Sequence, residues 1–343
     1  MLPAREGDCL WVRYGDSRAP KQILIDGGRH ATAKELLTRF KSLPARQRVF
    51  ELLIVTHIDR DHIEGILKLL EDNTVKFKDI WFNAYHHLRD VERFGAFQGE
   101  LLSTALLKQN LPWNLKFRGK AVCLPSKGLK RFKLDGEMTL TLLSPDRDKL
   151  SKLEPVWRKE CERAGLTPGS KPSRTETPGI ESFGAINVET LAESEFKSDA
   201  AEPNGSSIAV LLEFQQKRAL LAADAHPNRL IASIKVLAKN SKRFKLDAFK
   251  IAHHGSEGNV SRELLELLDC RRYLISTNGA YFKHPRTTAM ARIVKFGGKN
   301  STIYFNYRNN LTRVWDSKTF KERYGYEVVF PEGRKNGSLS VAL

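Results

Sequence analysis

Residues 51–70 have the sequence ELLIVTHIDRDHIEGILKLL, which joins a short apolar run to a helix-like segment through a cluster of ionisable side chains. The run at 51–54 is typical of a buried strand, and the apolar residues of 63–70 recur at helical spacing. Four side chains that can bind a metal lie between the two: His57, Asp59, Asp61 and His62. Together they form a nitrogen and oxygen ligand set suited to zinc, manganese or iron. A solvated, charged helix start would not explain two histidines that bracket two aspartates, so we predict a metal site here.

The chain of 343 residues has the composition of a globular protein, with 41% hydrophobic residues. Its length allows one large domain or two of average size. No apolar run reaches the roughly 18 residues that span a bilayer, and the N-terminus lacks the apolar region of a secretory signal. The four cysteines have no CxxC spacing, as expected for reduced thiols. We therefore expect a cytoplasmic protein with no membrane segment.

Positive charge is the second notable feature of the chain, with 57 basic and 40 acidic residues and a net charge of +17. Such an excess favours a polyanionic partner. Seven basic residues lie between 116 and 133 without an acid among them: Lys116, Arg118, Lys120, Lys127, Lys130, Arg131 and Lys133. A second set flanks the later motifs: Lys235, Lys239, Lys242, Arg243, Lys245 and Lys250. A solubilising surface is the alternative, but we expect nucleic acid or another phosphate-rich partner.

Strand-like segments come first in pairs, and later ones alternate with helix-like segments. This order predicts an α/β fold in which two mixed β-sheets face each other with helices outside, an αββα sandwich. We expect one domain over residues 1–343. Turn-rich, polar composition predicts an insertion at 146–203. A C-terminal extension, 306–343, carries aromatic residues that could stack on bases or simply pack as an edge.

Local patterns predict several element boundaries. Helices are expected over Thr32–Ser42 and Ser261–Leu268, each with its first residue as the cap. A further helix is expected over Glu92–Gln109 and a strand over Phe77–Phe82.

Acids or histidines follow five of the expected strands. They are Asp26, the cluster at 57–62, Asp224, the pair His253 and His254, and, at slightly longer range, His284. Functional side chains at one end of a sheet can converge on a single site. If the strand before it continues through the pair at 253–254, alternation would point only one of those two side chains inward.

This pattern resembles the metallo-β-lactamase fold superfamily, whose signature is His-x-His-x-Asp-His after a strand. Within it, the chain is similar to the hydrolase-like domain of the bacterial DNA-uptake channel protein ComEC and its free-standing relatives. That branch has Asp at the second histidine position, as Asp59 is here, together with a His-His-Gly-Ser box and a later His-Pro. The box corresponds to residues 253–256 and the later pair to His284-Pro285. The likeness spans residues 7 to about 305 without the insertion.

The resemblance implies a centre of two divalent metal ions, Zn²⁺ or Mn²⁺, that activates a water molecule. It assigns His57 and Asp59 to one ion, Asp61 and His62 to the other, and Asp224 to both. It further implies that one or more of His253, His254 and His284 complete the ligand shells, and that Asp26 orients the cluster from behind. His284 could instead be a general acid that protonates a leaving oxygen.

One departure from the superfamily pattern concerns a histidine that many members supply between the first cluster and the bridging acid. The histidines in that interval are His86 and His87, which could be ligands or an ordinary surface or core pair. Asn204 stands before a strand and could be a weak oxygen ligand. A site with fewer nitrogen and more oxygen ligands would favour manganese over zinc.

Three functions fit these features. A two-metal phosphodiesterase or nuclease acting on DNA or RNA fits the ligand set, the charge and the resemblance. Hydrolysis of a small ester, thioester or lactam is the alternative reaction, although the charge argues against it. A catalytically silent binding subunit of a larger complex is the third, and the near-complete ligand set argues against that. Free-standing members of the branch often occur in bacterial genome-defence or mobile-element settings, so a protein partner is also expected. The oligomeric state stays open.

Overall fold

The computed structural model describes residues 1–88, 97–163, 186–333 and 337–343. The strands within these ranges are β1 (Leu10–Tyr14), β2 (Lys21–Ile25), β3 (Val49–Phe50), β4 (Leu52–Ile54), β5 (Lys76–Phe77), β6 (Ile80–Trp81), β7 (Arg131–Lys133), β8 (Thr139–Ser144), β9 (Ala209–Phe214), β10 (Lys217–Leu221), β11 (Phe244–Leu246), β12 (Ala248–Lys250), β13 (Leu268–Cys270), β14 (Arg272–Ile275), β15 (Ser301–Phe305) and β16 (Tyr326–Val329). The helices are α1 (Ala33–Lys41), α2 (Arg60–Asp72), α3 (Phe97–Lys108), α4 (Arg147–Arg163), α5 (Val188–Ala192), α6 (Glu202–Gly205), α7 (Pro227–Ala238), α8 (Arg262–Glu266), α9 (Thr287–Phe296), α10 (Asn310–Arg313) and α11 (Lys318–Tyr324).

Two mixed sheets form the centre of the protein. The first has the strand order β1-β2-β4-β6, and the second has the order β16-β15-β14-β12-β10-β9-β8-β7. In the first sheet only β1 runs antiparallel to its neighbour. In the second, β10, β12, β14, β15 and β16 are parallel, whereas β7 to β10 alternate in direction. Two short parallel pairs, β3 with β5 and β11 with β13, form separate two-stranded sheets.

Side-chain alternation along these strands separates three apolar layers. Ile23 and Ile25 of β2 face the second sheet, whereas Leu24 between them packs against helices on the outer face. On the second sheet, Leu142 lies between the sheets and Leu143 packs under the outer helices. The middle layer is formed by side chains of both sheets, and each outer layer is formed by one sheet and its helices. The chain is therefore an αββα sandwich, which confirms the predicted fold class. No helix in the described ranges is long and apolar enough to cross a membrane.

The boundary predictions had mixed outcomes. Ser261 caps α8 by accepting a hydrogen bond from the Leu264 amide, as expected. Thr32 does not cap α1, because its hydroxyl donates to the carbonyls of Gly27 and Arg29 instead. The strand expected over Phe77–Phe82 is divided into β5 and β6, which belong to different pairs. The helix expected from Glu92 is described from Phe97 onward, and its first residues lie outside the described ranges.

The segments expected to form an insertion and an extension contribute to these layers. Helix α4 places Leu150, Leu153 and Trp157 in the apolar layer outside the first sheet. At the other end of the chain, β16 pairs with β15, and Trp315 is buried in the layer outside the second sheet. The division of the chain into a core, an insertion and an extension stays a prediction.

A buried ion pair links the start of the first sheet to the second. Lys250, the last residue of β12, is fully buried, and its ammonium donates to Asp8 Oδ2 at 2.7 Å and to the Ile251 carbonyl at 3.0 Å. Burial alone would raise the pKa of Asp8, but the charge of Lys250 and the neighbouring His254 outweigh it and hold that pKa below its usual range. Lys250 belongs to the second basic set by sequence, but its burial removes it from the charged surface that a partner could contact. The other members of that set are exposed.

We expect Asp8→Ala to lower the free energy of unfolding by about 3–5 kcal/mol, because it leaves the Lys250 ammonium buried without its partner. Urea unfolding followed by circular dichroism would measure this. Asp72→Ala is the matched control, since Asp72 makes an ion pair of the same 2.7 Å length with Lys41 at the exposed surface. It should have a much smaller effect. Equal losses for the two variants would contradict the importance of the buried pair.

Candidate metal centre

The carboxyl ends of four strands meet at one edge of the sandwich. Parallel neighbours β2 and β4 end just before Asp26 and the cluster at 57–62, and parallel neighbours β10 and β12 end just before Asp224 and the pair at 253–254. Parallel strands have their carboxyl ends at the same edge of a sheet. The two facing sheets therefore deliver their polar side chains to one place.

Helix α2 is held close to this edge by two glycines. A Cβ on Gly65 would lie 2.0 Å from the Gly27 carbonyl oxygen, so only glycine allows this approach. The contact is completed by main-chain hydrogen bonds from Gly27 to His62 and from Gly65 to Gly28. The pair Gly27-Gly28 after Asp26 thus has a packing role that brings the start of α2 to the end of β2.

Asp26 lies behind the cluster and is fully buried. Its carboxylate accepts hydrogen bonds from the Thr56 amide at 2.8 Å, the Thr56 hydroxyl at 2.7 Å and His62 Nδ1 at 2.8 Å. The Thr56 hydroxyl, whose hydrogen is thereby committed, lies 3.0 Å from His57 Nδ1 and accepts from it. One buried carboxylate therefore orients two imidazoles, directly for His62 and through Thr56 for His57.

Two further imidazoles are held in the same way from the second sheet. His254 Nδ1 donates to the Ser276 carbonyl at 2.9 Å, and His253 Nδ1 lies 3.0 Å from Asn259 Oδ1. In all four histidines Nδ1 is tied to an oxygen behind the ring. A hydrogen bond at one ring nitrogen fixes the tautomer and leaves the lone pair of the other nitrogen for a ligand.

The four Nε2 atoms converge on Asp224, which is 2% exposed. The Nε2 atoms of His57, His62 and His253 lie 3.8, 3.5 and 3.7 Å from Asp224 Oδ2, respectively. The Nε2 atom of His254 lies 3.6 Å from Asp224 Oδ1. Burial disfavours the charge of this carboxylate, but the surrounding histidines outweigh burial and hold the pKa of Asp224 well below its usual range. Conversely, Asp224, Asp26 and Asp61 raise the pKa of His62 well above its usual range despite burial.

A cation fits this arrangement. His62 Nε2 and His254 Nε2 are 3.2 Å apart, and neutral rings with Nδ1–H bonded elsewhere would bring two lone pairs together there. His57 Nε2 and Asp224 Oδ1 are buried and have no hydrogen-bond partner. Buried polar atoms that stay unpaired are costly. His62 belongs to two groups of three side chains whose ligand atoms lie within 4.8 Å of one another. The first group is His57, His62 and Asp224, and the second is Asp61, His62 and His254.

Two carboxylates of the first cluster complete the surroundings. Asp61 Oδ2 lies 3.7 Å from His254 Nε2 and 4.0 Å from His62 Nε2. Asp59 Oδ2 lies 3.6 Å from His57 Nε2, and its side chain is 41% exposed at the mouth of the site. All seven side chains that the sequence suggested as metal ligands are thus brought together. Their roles as ligands stay a prediction.

His253 and His254 do not lie on a strand, contrary to the sequence-based expectation. Strand β12 ends at Lys250, and both histidines have left-handed backbone angles, with φ of 47° and 54°. The strand alternation that would turn one of them away is therefore absent, and both approach Asp224. Four imidazole nitrogens are available as a result.

His284 lies beside this cluster and is 7% exposed. Its ring centroid is 5.1 Å from that of His253, and its Nδ1 has no hydrogen-bond partner. Burial and the neighbouring His253 and His254 hold the pKa of His284 well below its usual range. A neutral ring with an unused nitrogen can bond to a substrate oxygen, whereas a charged general acid at neutral pH is disfavoured.

His86 and His87 lie elsewhere, with their rings against Trp113. His87 Nδ1 accepts from the Ala84 amide and Nε2 donates to the Gly119 carbonyl, so neither nitrogen is free for a metal. Burial lowers the pKa of His87 to about 3. A ligand role for His87 is therefore excluded by its hydrogen bonds, and both histidines line a separate cavity.

Sequence reasoning missed Asp199, which no motif marks. Its carboxylate lies 3.4 Å from His253 Nδ1 and accepts from the amides of Asn204 and Asn259 at 2.7 and 3.0 Å. Asn204, considered as an oxygen ligand, directs its nitrogen to Asp199 instead. Asp8 was also missed, and it lies 3.4 Å from His254 Nδ1. Both acids stand behind an imidazole, where they orient it.

No protein-family model matches the chain, and no curated protein is significantly similar to it. Among solved structures, a protein described as a metal-dependent hydrolase from Parabacteroides distasonis aligns with a TM-score of 0.38 and 13% identity over 96% of this chain and 91% of that one. A metallo hydrolase from Ignicoccus hospitalis aligns with a TM-score of 0.39 and 13% identity, over 98% of this chain and 95% of that one. A variant of the β-hydroxylase CmlA aligns with a TM-score of 0.41 and 12% identity, over 96% of this chain and 52% of its own length. Similarity this low assigns neither a family nor an activity.

We expect Asp199→Ala to weaken the binding of Zn²⁺ or Mn²⁺ by about 10- to 100-fold, because His253 loses the carboxylate behind it. Competition with a chromogenic chelator would measure the affinity, and circular dichroism would verify the fold. Asp148→Ala removes the same charge from an exposed ion pair with Lys152 and should leave metal binding unchanged. Identical affinities for the two variants would show that Asp199 does not support a ligand.

Proposed function

We propose that the chain is a metal-dependent phosphodiesterase that cleaves nucleic acid, with a metallo-β-lactamase-type centre of the ComEC-like branch. The convergence of four imidazole nitrogens on one buried carboxylate carries this proposal. Two divalent cations held there would lower the pKa of a water molecule and supply a nucleophile for hydrolysis. Zn²⁺ and Mn²⁺ both suit the donor set of imidazoles and carboxylates.

The residues divide between two positions around Asp224. His57, Asp59 and His253 would hold one cation, and Asp61, His62 and His254 the other, with Asp224 between them. His253 thereby takes the place of the histidine that the sequence lacks before the bridging acid. Asp26 and Asp199 hold imidazoles in place from behind. The unused ring nitrogen of His284 would bond to a phosphate or leaving oxygen.

The surface charge supports a polyanionic substrate. All seven basic residues between 116 and 133 are exposed. A cavity of about 970 Å³ borders this segment, and Lys120 and Arg147 lie in its wall beside the ion pair of Arg229 with Asp146. Because β8 and β10 run in the same direction, the residues after β8 that line this cavity lie at the same edge as Asp224. A nucleic acid could thus extend from the metal centre along the basic segment. We also propose a cytoplasmic location and a protein partner in a bacterial defence or mobile-element system.

Plasmid DNA and single-stranded oligonucleotides should be cleaved when Mn²⁺ or Zn²⁺ is added and left intact with a chelator. Asp61→Asn should lower the cleavage rate at least about 100-fold, because loss of a metal ligand removes several kcal/mol of transition-state stabilisation. Asp72→Asn, at the exposed end of the same helix, is the control and should cleave normally. Cleavage that survives in Asp61→Asn, or turnover of a thioester or lactam without any nucleic-acid cleavage, would refute the proposal.

Binding to duplex DNA should depend steeply on salt. Replacing Lys127, Lys130 and Lys133 together by alanine should flatten the slope of log K against log salt by about 0.9 for each phosphate that the protein no longer neutralises. Fluorescence anisotropy over a range of salt concentrations would measure it. The control replaces the exposed Lys34, Lys299 and Lys318, which lowers the net charge equally. If both triple variants change the slope to the same extent, DNA binds through the overall charge of the protein and not through the basic segment.

A further inference from the structure

An aromatic side chain stands at the mouth of the metal centre without a role in the chemistry proposed above. Phe282 is 39% exposed, and among the residues whose side-chain exposure the structure describes no other phenylalanine, tyrosine or tryptophan is exposed. It lies in the loop between β14 and α9, two residues before His284. Large apolar side chains at a protein surface are common singly, so position and surroundings decide whether this one has a role.

The ring of Phe282 is connected to the metal centre through two histidines. It stacks on His284, with centroids 6.0 Å apart and the planes 24° from parallel. His284 in turn packs edge-on against His253 at 5.1 Å, and His253 lies 3.7 Å from Asp224. The outer face of Phe282 therefore lies within the reach of a nucleotide next to a phosphate held at the centre.

Two more features of this loop suit a nucleotide. Tyr281 packs edge-on against Phe282 at 4.7 Å, and the Arg29 guanidinium lies 5.9 Å from the Tyr281 ring centroid. His284 Nδ1 is a buried polar atom that has no hydrogen-bond partner. Arg29 is itself paired with Glu6 at 2.7 Å, so it supports the Tyr281 ring rather than offering a free charge. The mouth thus combines a flat aromatic face with an unused polar atom, which suit a base and a phosphate oxygen.

We propose that Phe282 is a stacking platform for a nucleobase next to the scissile phosphate, so that the substrate is single-stranded at the site. A base in a duplex is already stacked on both faces and cannot offer one to the protein unless it is extruded. Stacking on an aromatic side chain tolerates any base, so the platform would select strand state rather than sequence. This inference rests on the proposed nuclease function and adds its substrate form.

Binding of a fluorescent single-stranded oligonucleotide with hydrolysis-resistant phosphorothioate linkages to the metal-loaded protein tests the platform. Phe282→Ala should weaken binding about 5- to 150-fold, the range measured for one base stacked on an aromatic ring. Phe282→Trp should retain the affinity, whereas Phe282→Leu, which keeps an apolar side chain without a flat face, should not. Leu107→Ala removes an apolar side chain that is 68% exposed on α3 and is the matched control.

Strand state gives the second readout. The wild-type protein should bind single strands more tightly than duplexes of the same sequence, and Phe282→Ala should remove most of that preference. A wild-type protein that cleaves nucleic acid but shows no effect of Phe282→Ala, or an equal loss in Leu107→Ala, would overturn the platform alone. A wild-type protein that neither binds nor cleaves nucleic acid would overturn the proposed function itself.

Discussion

Four imidazoles that face a single buried carboxylate impose the main constraint on this structure. Each ring has one nitrogen bonded to an oxygen behind it, so its other nitrogen is directed at the centre. Two ring nitrogens 3.2 Å apart and a buried carboxylate oxygen without a partner require a positive charge between them, either a proton or a metal ion. The surrounding fold therefore holds these atoms in an arrangement that a bound cation would stabilise.

The backbone meets this demand by leaving regular structure at the ends of the strands. Four residues have φ between 47° and 56°: Asp26, Ala223, His253 and His254. Residues other than glycine rarely adopt this left-handed region. Such residues cost of order 1–3 kcal/mol each and persist where their surroundings determine them. At this edge of the sandwich, backbone strain accompanies the placement of functional side chains, while the three apolar layers supply the stability.

Much of the site could be predicted from sequence because its ligands follow strands directly. The cluster at 57–62 lies in one segment, and Asp224 ends an apolar strand, so strand periodicity alone indicated where these side chains would lie. The αββα architecture also followed from the order of strands and helices. Local propensity was less reliable where tertiary contacts compete: Thr32 has cap chemistry, yet its hydroxyl bonds to the turn after Asp26. Lys250 was taken for a surface charge because a sequence does not show that a partner 242 residues away is buried with it.

Composition and strand pattern alone thus determined the fold class, the residue types of the candidate centre and the excess of positive charge, since each depends on properties of neighbouring residues. Only the tertiary structure decided that both His253 and His254 turn towards Asp224, that Asp199 and Asp8 stand behind them, and that Phe282 is exposed at the mouth. Those outcomes depend on backbone angles outside regular strands and on contacts between distant segments. No periodicity in the chain encodes them.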